Sequence, residues 1–354
     1  MVFSIDGRQL TGAMGGVQRY ITEILRQLDK IAPPGMFEVV IPAKTGDIKF
    51  NYVNLKVVRY GRFNGLLWEQ LDFPFYLIKH HRMGIFMCTI VSMLYPKGIA
   101  VVHDVMPAMF PDIAKSMGNI FARNLLLLNY SIAVKKADYP ATVSENSRRD
   151  MSRLYGRSEK DITVIPNAWQ HIERVEVDDG WMNRHPGVRP GEFYFTLSAN
   201  RKQKNFKWIY EVAKRNSDSI FLIAGTVEEW QDNESIKADN IIQMGYLNDG
   251  EIKSLMKNCK AFLFPSFYEG FGIPPMEALA CGAKIVISDT SCLPEIYGRS
   301  AYYVNPYDYD VDLDELLKSE VAPASDCLDR FGWDKSAGIL FDLCKQIMSM
   351  PCGG

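Results

Sequence analysis

The densest run of chemically capable residues in the chain is FPSFYEGFGIPPMEALACGAKIVIS, residues 264–288. Two carboxylates, Glu269 and Glu277, stand eight positions apart around a glycine-bearing loop, Gly270-Phe271-Gly272-Ile273. Two prolines follow, and Pro275 suits a first helical position, where a missing N–H costs nothing. Glycine removes the Cβ that keeps ligands off the backbone, so the amides over 270–273 can approach an oxygen-rich or anionic group. Either glutamate alone reads as an ordinary first-turn acid; the run as a whole reads as a ligand loop.

Three further segments carry polar groups in suggestive places. LSANRKQKNF, 197–206, sets Arg201, Lys202 and Lys204 just after a strand-like run, although three cations in four positions are also what a solvated loop contains. VVHDVMPAMFP, 101–111, puts His103 and Asp104 where a strand ends, and a lone histidine there also fits a structural role. TGAMGGVQRY, 11–20, gives a glycine-rich turn at Gly15 and Gly16 before a helix. It is not a P-loop, since no Gly-Lys-Ser/Thr follows, and it is not GxGxxG. The alternating aspartates of PYDYDVDLDE, 306–315, imitate a calcium loop. Leu313 stands where the EF-hand glycine belongs and Ser319 where its last glutamate belongs, so the run reads as a solvated, capping segment and no metal site is expected.

The elements that must position these groups follow a regular rhythm. Short β-rich runs alternate with helical patterns, as in βαβ units and parallel sheets. In the first half, strands are expected over 2–5, 38–41, 55–59, 85–89, 99–103 and 141–144, with helices over 17–28, 113–136 and 146–155. In the second half, strands are expected over 193–197, 220–224, 241–244, 261–265, 285–288 and 301–304, with helices over 206–215, 251–258 and 275–281. Residues 167–191, rich in Asn, Gly, Pro, His and charge, read as the linker, and an amphipathic helix over 333–348 closes the chain. The fold expected is α/β, with two facing Rossmann-like domains and a cleft at the carboxyl ends of both sheets, where loop amides and helix N-termini converge.

Composition narrows the partners. With 40 Lys and Arg against 42 Asp and Glu, the net charge is −2, and no global basic balance points to nucleic acid. No stretch approaches the roughly 18 apolar residues that span a bilayer, and residues 1–5 run straight into Asp6-Gly7-Arg8 with no signal-peptide pattern. The seven cysteines form no CxxC pair and read as buried thiols of a reducing cytoplasm.

EGFGIPPMEALACG closely resembles the E-x7-E motif of the family 4 retaining glycosyltransferases, which have the two-domain GT-B architecture. Four other segments match that family in the same order, so the resemblance covers nearly the whole chain. It implies that Glu277 takes both ribose hydroxyls of a nucleotide, as a carboxylate can bidentately. Glu269 would meet donor-sugar hydroxyls and stabilise developing positive charge. Lys204 would hold the donor diphosphate together with Arg201, whose place Asn200 or Lys202 could take because the loop is one residue short. In MGYLNDGEIKSLMKNC, 244–259, the resemblance makes Gly245-Tyr246-Leu247 a border of the base pocket, with backbone hydrogen bonds and an apolar lid. Gly15 and Gly16 would face the donor phosphates and His103 a sugar hydroxyl. ITVIPNAW, 162–169, would lead into the interdomain hinge, with Ala168 in place of the customary glycine. FGWDKSA, 331–337, would start the helix that crosses back to the first domain. The implied domains are 1–168 with the 333–350 helix, on the acceptor side, and 169–332, on the donor side.

The implied activity is metal-independent hexosyl transfer with retention, needing no cofactor beyond the nucleotide sugar as co-substrate. GDP-mannose is the preferred donor. A glycan or lipid-linked saccharide of surface polysaccharide biosynthesis is the preferred acceptor. A cytoplasmic location is expected, with peripheral contact at the inner membrane face through Lys79-His80-His81-Arg82 or Lys135-Lys136, two clusters that ordinary solvated charge also explains. Nucleotide-sugar epimerases and phosphorylases share the architecture, as would a silent binding subunit, and sequence leaves donor, acceptor and oligomeric state open.

Overall fold

The computed structural model describes residues 1–12, 15–46, 51–114, 120–197, 202–225 and 238–350, without the side chains of 113 and 114. Arg201 and Asn200 therefore lie outside the described residues. The chain divides into two compact units, Met1–Asn167 with Trp333–Gly354, and Ala168–Gly332.

The first unit is built on seven parallel strands: β1 Phe3–Asp6, β2 Phe37–Pro42, β3 Lys56–Tyr60, β4 Met83–Phe86, β5 Gly98–Val102, β6 Tyr139–Thr142 and β7 Thr163–Val164. Their order is β3-β2-β1-β4-β5-β6-β7, so the winding reverses between β1 and β4. FEVVIP and GIAVV are buried along their whole length, as strands covered on both faces must be. The helix Gly16–Ile31 buries Tyr20, Ile21, Ile24, Leu25 and Leu28, one stripe at helical spacing. The last helix, Trp333–Ser349, returns to this unit: Ser336 Oγ donates to the Pro166 carbonyl at 2.7 Å, and Phe341 meets Phe37 at 6.4 Å between ring centres. The segment over 65–79, absent from the expected elements, is a continuous helix with a π-helical turn at Trp68–Asp72.

The second unit has six parallel strands: β8 Phe193–Leu197, β9 Ile220–Ala224, β10 Ile241–Gly245, β11 Ala261–Phe264, β12 Ile285–Ser288 and β13 Tyr302–Val304. They are ordered β10-β9-β8-β11-β12-β13, with the reversal between β8 and β11. Tyr194, Trp208, Val212, Ile223, Leu263 and Val286 form its core on one side of the sheet.

Two expectations are corrected. The 167–191 segment, read as the linker, belongs from Ala168 onward to the second unit, with a 3-10 turn at Gln170–Arg174 and a short helix at Gly180–Arg184. Side-chain bonds that no hydrophobic period reveals hold it there. Trp169 Nε1 donates to the Leu328 carbonyl at 3.0 Å, Gln170 Nε2 to Phe331 at 2.9 Å, and Lys253 Nζ to Ile172 and Val175 at 2.8 and 2.7 Å. The helix after the glycine loop, Ile273–Ala280, opens two residues earlier than Pro275 suggested. Gly272, at φ 83°, turns the chain into the helix, and prolines are tolerated throughout a first turn.

Candidate active site

In a doubly wound sheet, loops leaving adjacent strands at the reversal of winding diverge and open a crevice. In the second unit those loops follow β8 and β11, which pair through Ala261↔Tyr194 and Phe262↔Phe195. The first delivers Lys204 at the end of a 3-10 turn, Lys202–Lys204, and the second delivers Glu269. Lys204 Nζ lies 2.7 Å from Glu269 Oε1, with both side chains largely buried, and 4.5 Å above the ring of Phe264. Asn205 fastens the loops together. It adopts a left-handed conformation (φ 55°), which asparagine tolerates better than most residues. Its Nδ2 donates to the carbonyls of Pro265 and Pro306 at 3.1 and 2.7 Å. Phe267 N–H adds a bond to the Gln203 carbonyl at 2.8 Å. Glu269 N–H donates to Ser291 Oγ at 3.1 Å from a serine also held at positive φ (52°), a conformation that a non-glycine residue adopts at some cost.

Glu277 sits on the Ile273–Ala280 helix, and its Oε1 accepts from His171 Nε2 at 2.5 Å. His171 is buried on the segment expected to be a linker. Gly272 is required twice over: by its positive φ, and because a Cβ there would stand 2.8 Å from a Leu293 methyl. Its carbonyl accepts from the Tyr297 hydroxyl at 2.5 Å. Pro274 and Pro275 carry no N–H, so at the helix start only Gly272 and Ile273 keep an amide hydrogen. Phe271 turns its ring into the interior, edge-on to Phe331 at 5.2 Å, which leaves only its backbone for a ligand. Gly270 is buried within the same loop.

The residues expected to border a base are placed unevenly. The Gly245 carbonyl is already taken by Gly225 N–H at 2.6 Å, and Leu247 is buried. The side chain of Tyr246 stands 90% exposed.

The first-unit groups surround the end of that unit's own sheet. Gly15 caps the Gly16–Ile31 helix in extended conformation, its carbonyl accepting from Arg19 N–H at 2.8 Å, and both glycines are exposed. His103 follows β5, its ring edge-on to Tyr20 at 4.8 Å. His103 Nε2 lies 2.7 Å from the Met87 carbonyl. A carbonyl only accepts, so Nε2 carries the hydrogen and Nδ1 is left as an acceptor. Burial pulls the pKa of this histidine down to about 4, although the Met87 bond favours the charged form, so the ring is neutral near pH 7. Asp104 caps the next turn, accepting from Met106 N–H at 2.9 Å.

At the reversal point between β1 and β4 lies a buried group that sequence did not single out. Arg8 Nε stands 2.7 Å from Glu69 Oε1, and Cys88 Sγ donates to the same oxygen at 3.4 Å. Asp6 accepts from Arg8 N–H at 3.0 Å. Burial, then the charge of Glu69, holds the Asp6 carboxyl well above the usual range; burial also raises Glu69 against the opposing pull of Arg8. Asp6 Oδ2 and Glu69 Oε2 have no other partner, and one proton between the carboxyls satisfies both and balances Arg8. Asp6, Glu69 and Cys88 are also the one close grouping of metal-ligand types among the described residues, and Arg8 already supplies its counter-charge. The 308–314 aspartates are otherwise engaged: Asp312 caps the Leu313–Leu316 turn, Asp310 pairs with Arg215 at 2.6 Å, and Asp314 binds Tyr194 and Lys260.

Comparison with known proteins identifies what this arrangement belongs to. The model of the group 1 glycosyl transferases matches residues 182–320, most of the second unit. The match places the second unit among the group 1 glycosyl transferases, and the chain as a whole has the GT-B fold. It is 26% identical over 255 residues to the O-antigen chain mannosyltransferase RfbU of Salmonella typhimurium, across 70% of this chain and 67% of that protein. It is 39% identical over 230 residues to the serotype-specific mannosyltransferase WbdA of Escherichia coli, across 60% of this chain but 28% of that longer protein. Among solved structures, sucrose-phosphate synthase from Thermosynechococcus elongatus superposes with a TM-score of 0.76 at 14% identity, over 98% of this chain and 99% of that one, a likeness of fold.

The structure brings Lys204 to Glu269, and His171 to Glu277. Arg201 lies outside the described residues, and its alternative Lys202 is exposed at the start of the same 3-10 turn. His171, Asn205 and Ser291 carried no signal in the sequence, because each acts through a partner 22 to 106 positions away.

Proposed function

We propose that this glycosyltransferase moves a hexose-type sugar, mannose foremost, from a nucleoside-diphosphate donor with retention of anomeric configuration. The acceptor is a glycan or lipid-linked saccharide in surface polysaccharide assembly. The Lys204–Glu269 pair at the second sheet's reversal point carries the reading. The preference for mannose, and so for GDP-mannose, rests on the mannosyltransferases RfbU and WbdA.

The donor diphosphate competes with Glu269 for the Lys204 ammonium, since a phosphate oxygen is the stronger charged acceptor. That exchange frees Glu269 for hydroxyls of the sugar beside the reacting carbon, with Arg201 as the companion cation. Glu277, its carboxylate oriented by His171, takes the ribose hydroxyls. His103 Nδ1, unprotonated, accepts from a sugar hydroxyl. The acceptor oxygen attacks the anomeric carbon on the face the phosphate leaves. The carbon–phosphate oxygen bond breaks, and the acceptor's proton passes to that phosphate oxygen. No protein nucleophile takes part, and cationic side chains do the work a metal would otherwise do. No other cofactor enters.

A lipid-linked acceptor suits a cavity of about 360 Å³ in the first unit, lined by Pro107, Ala108, Pro111, Arg123, Leu127 and Tyr155. Apolar walls with one cation fit an apolar chain joined to a phosphate. Work on such an acceptor would place the protein at the cytoplasmic face of a membrane, as a peripheral protein. The test is transfer from GDP-mannose to a mannose-terminated polyprenyl diphosphate, with the product's anomer read by NMR. An α-linked product from the α-linked donor is expected. Inversion overturns the mechanism, and absence of thermal stabilisation by every nucleoside diphosphate tried overturns the reading; a ligand at 100 times its Kd adds about 2.7 kcal/mol.

A further inference from the structure

The 65–79 helix of the first unit is apolar on both faces. Inward, Trp68, Phe73, Tyr76 and Leu77 are buried in the core with Phe86 and Val102. Outward, Leu67, Leu71, Phe75 and Ile78 stand 58, 45, 67 and 52% exposed. Their spacings of four, four and three put them on one helix face. A helix that is apolar all round is normally covered all round, and a contiguous exposed apolar patch marks an interaction surface. The patch extends beyond the helix. Gln70 binds the following loop, donating to the Val91 carbonyl and accepting from Met93 N–H, both at 2.9 Å, and the next residue, Leu94, is exposed.

Charge decides what covers this face. Lys79 ends the helix, Arg62 precedes it, and Lys56 lies on the edge strand β3; all three are exposed and none forms an ion pair among the described residues. The helix's two acids are committed elsewhere. Glu69 is buried against Arg8, and Asp72 Oδ2 accepts the amides of Arg62 and Phe63 at 2.8 Å. Arg82 is already held by Glu38 at 3.2 Å and adds little. A second copy packed on this face about a two-fold axis would bring the same cations together. An apolar stripe flanked by cations that form no ion pair among the described residues, on a helix whose own two acids are held by Arg8 and by backbone amides, matches the boundary between lipid head groups and acyl chains in an anionic bilayer. No helix among the described residues is long and apolar enough to cross a membrane, so the contact is from one side.

We infer that the outer face of the 65–79 helix docks the first unit onto an anionic lipid surface, with Leu67, Leu71, Phe75 and Ile78 in the acyl boundary and Lys79 and Arg62 at the phosphates. The inference deepens the reading of a peripheral enzyme given above. Its test uses neither donor nor acceptor, so either can fail without the other.

The experiment is vesicle flotation with the full chain, using phosphatidylcholine vesicles with and without phosphatidylglycerol. The wild type is expected to float with the anionic vesicles and to release as salt rises. Leu71→Glu with Phe75→Glu should lower its partition coefficient at least roughly tenfold, and Arg62→Glu with Lys79→Glu should remove the preference for phosphatidylglycerol. Melting temperature should be unchanged in both. If the apolar pair melts early, the charge pair carries the test alone. Equal flotation of wild type and variants overturns the inference. So does a wild type that ignores vesicles, whether it sediments as a monomer or as a dimer that the variants dissociate.

Discussion

His171 Nε2 and Glu277 Oε1, 106 residues apart in the chain, lie 2.5 Å from each other in the second unit. A buried imidazole N–H on one carboxylate oxygen fixes the plane of that carboxylate and leaves its other oxygen for a ligand. The histidine is thus a positioning residue for Glu277. His171→Ala should weaken binding of the cognate nucleoside diphosphate by about tenfold, the worth of one hydrogen bond to a charged group. Turnover at saturating donor should change little, and His171→Gln, which keeps an N–H, should recover part of the affinity. Calorimetry beside steady-state kinetics reads both. Normal nucleotide affinity in a folded His171→Ala protein would remove His171 from the site.

The two glutamates should fail in different ways. Glu277→Ala is expected to weaken free nucleotide and nucleotide sugar alike, by roughly 1.5–3 kcal/mol or ten- to a hundredfold. Glu269→Ala should leave nucleoside diphosphate binding nearly intact while turnover falls much further than donor affinity. The freed Lys204 remains available to the diphosphate in that variant. Wild-type binding and wild-type transfer in both would end the assignment.

His103→Ala should lower donor-sugar turnover more than nucleotide affinity. Because burial holds the imidazole pKa at about 4, activity should show no inflection from this residue between neutrality and about pH 5. Stability carries the complementary sign. The unfolded histidine takes up a proton near pH 6.5 and the folded one near 4, so stability falls as pH drops through that window. His103→Gln should flatten that part of the melting-temperature profile, and an unchanged slope would show that the fall has another source.

The buried group around Arg8 allows a similar contrast. Asp6→Asn keeps the shape of a protonated carboxyl and should cost little near pH 7. The raised Asp6 pKa means that the fold keeps a proton the unfolded chain has released, so wild-type stability falls as pH rises through the folded value. Asp6→Asn should lessen that fall. Glu69→Gln instead strips Arg8 of its counter-charge and should cost up to about 3 kcal/mol. Urea titrations at two pH values measure both, and equal losses in the two variants would exclude the shared proton.

Donor binding and transfer are expected to survive EDTA, since the proposed mechanism gives the diphosphate to Lys204 and its neighbouring cations. Strict, reversible dependence on Mg²⁺ or Mn²⁺ would redirect attention to Asp6, Glu69 and Cys88.

The parallel α/β architecture was legible along the chain, because buried strands and amphipathic helices write their periods locally. All six second-unit strands fall within a residue or so of their expected positions. The loop of Glu269 and Glu277 was legible too, since its glycines and prolines have fixed conformational uses. Tertiary structure alone decided the partners of those glutamates. Lys204 reaches Glu269 only because β8 and β11 are neighbours at the reversal of winding. His171 reaches Glu277 only because side-chain bonds to Leu328, Phe331 and Lys253 bind its segment to the second unit. Both apolar faces of the 65–79 helix look alike in one dimension, and only packing shows which one the core covers. Periodicity reports what a residue's neighbours along the chain are, whereas a hydrogen bond or a buried charge depends on residues brought close in space.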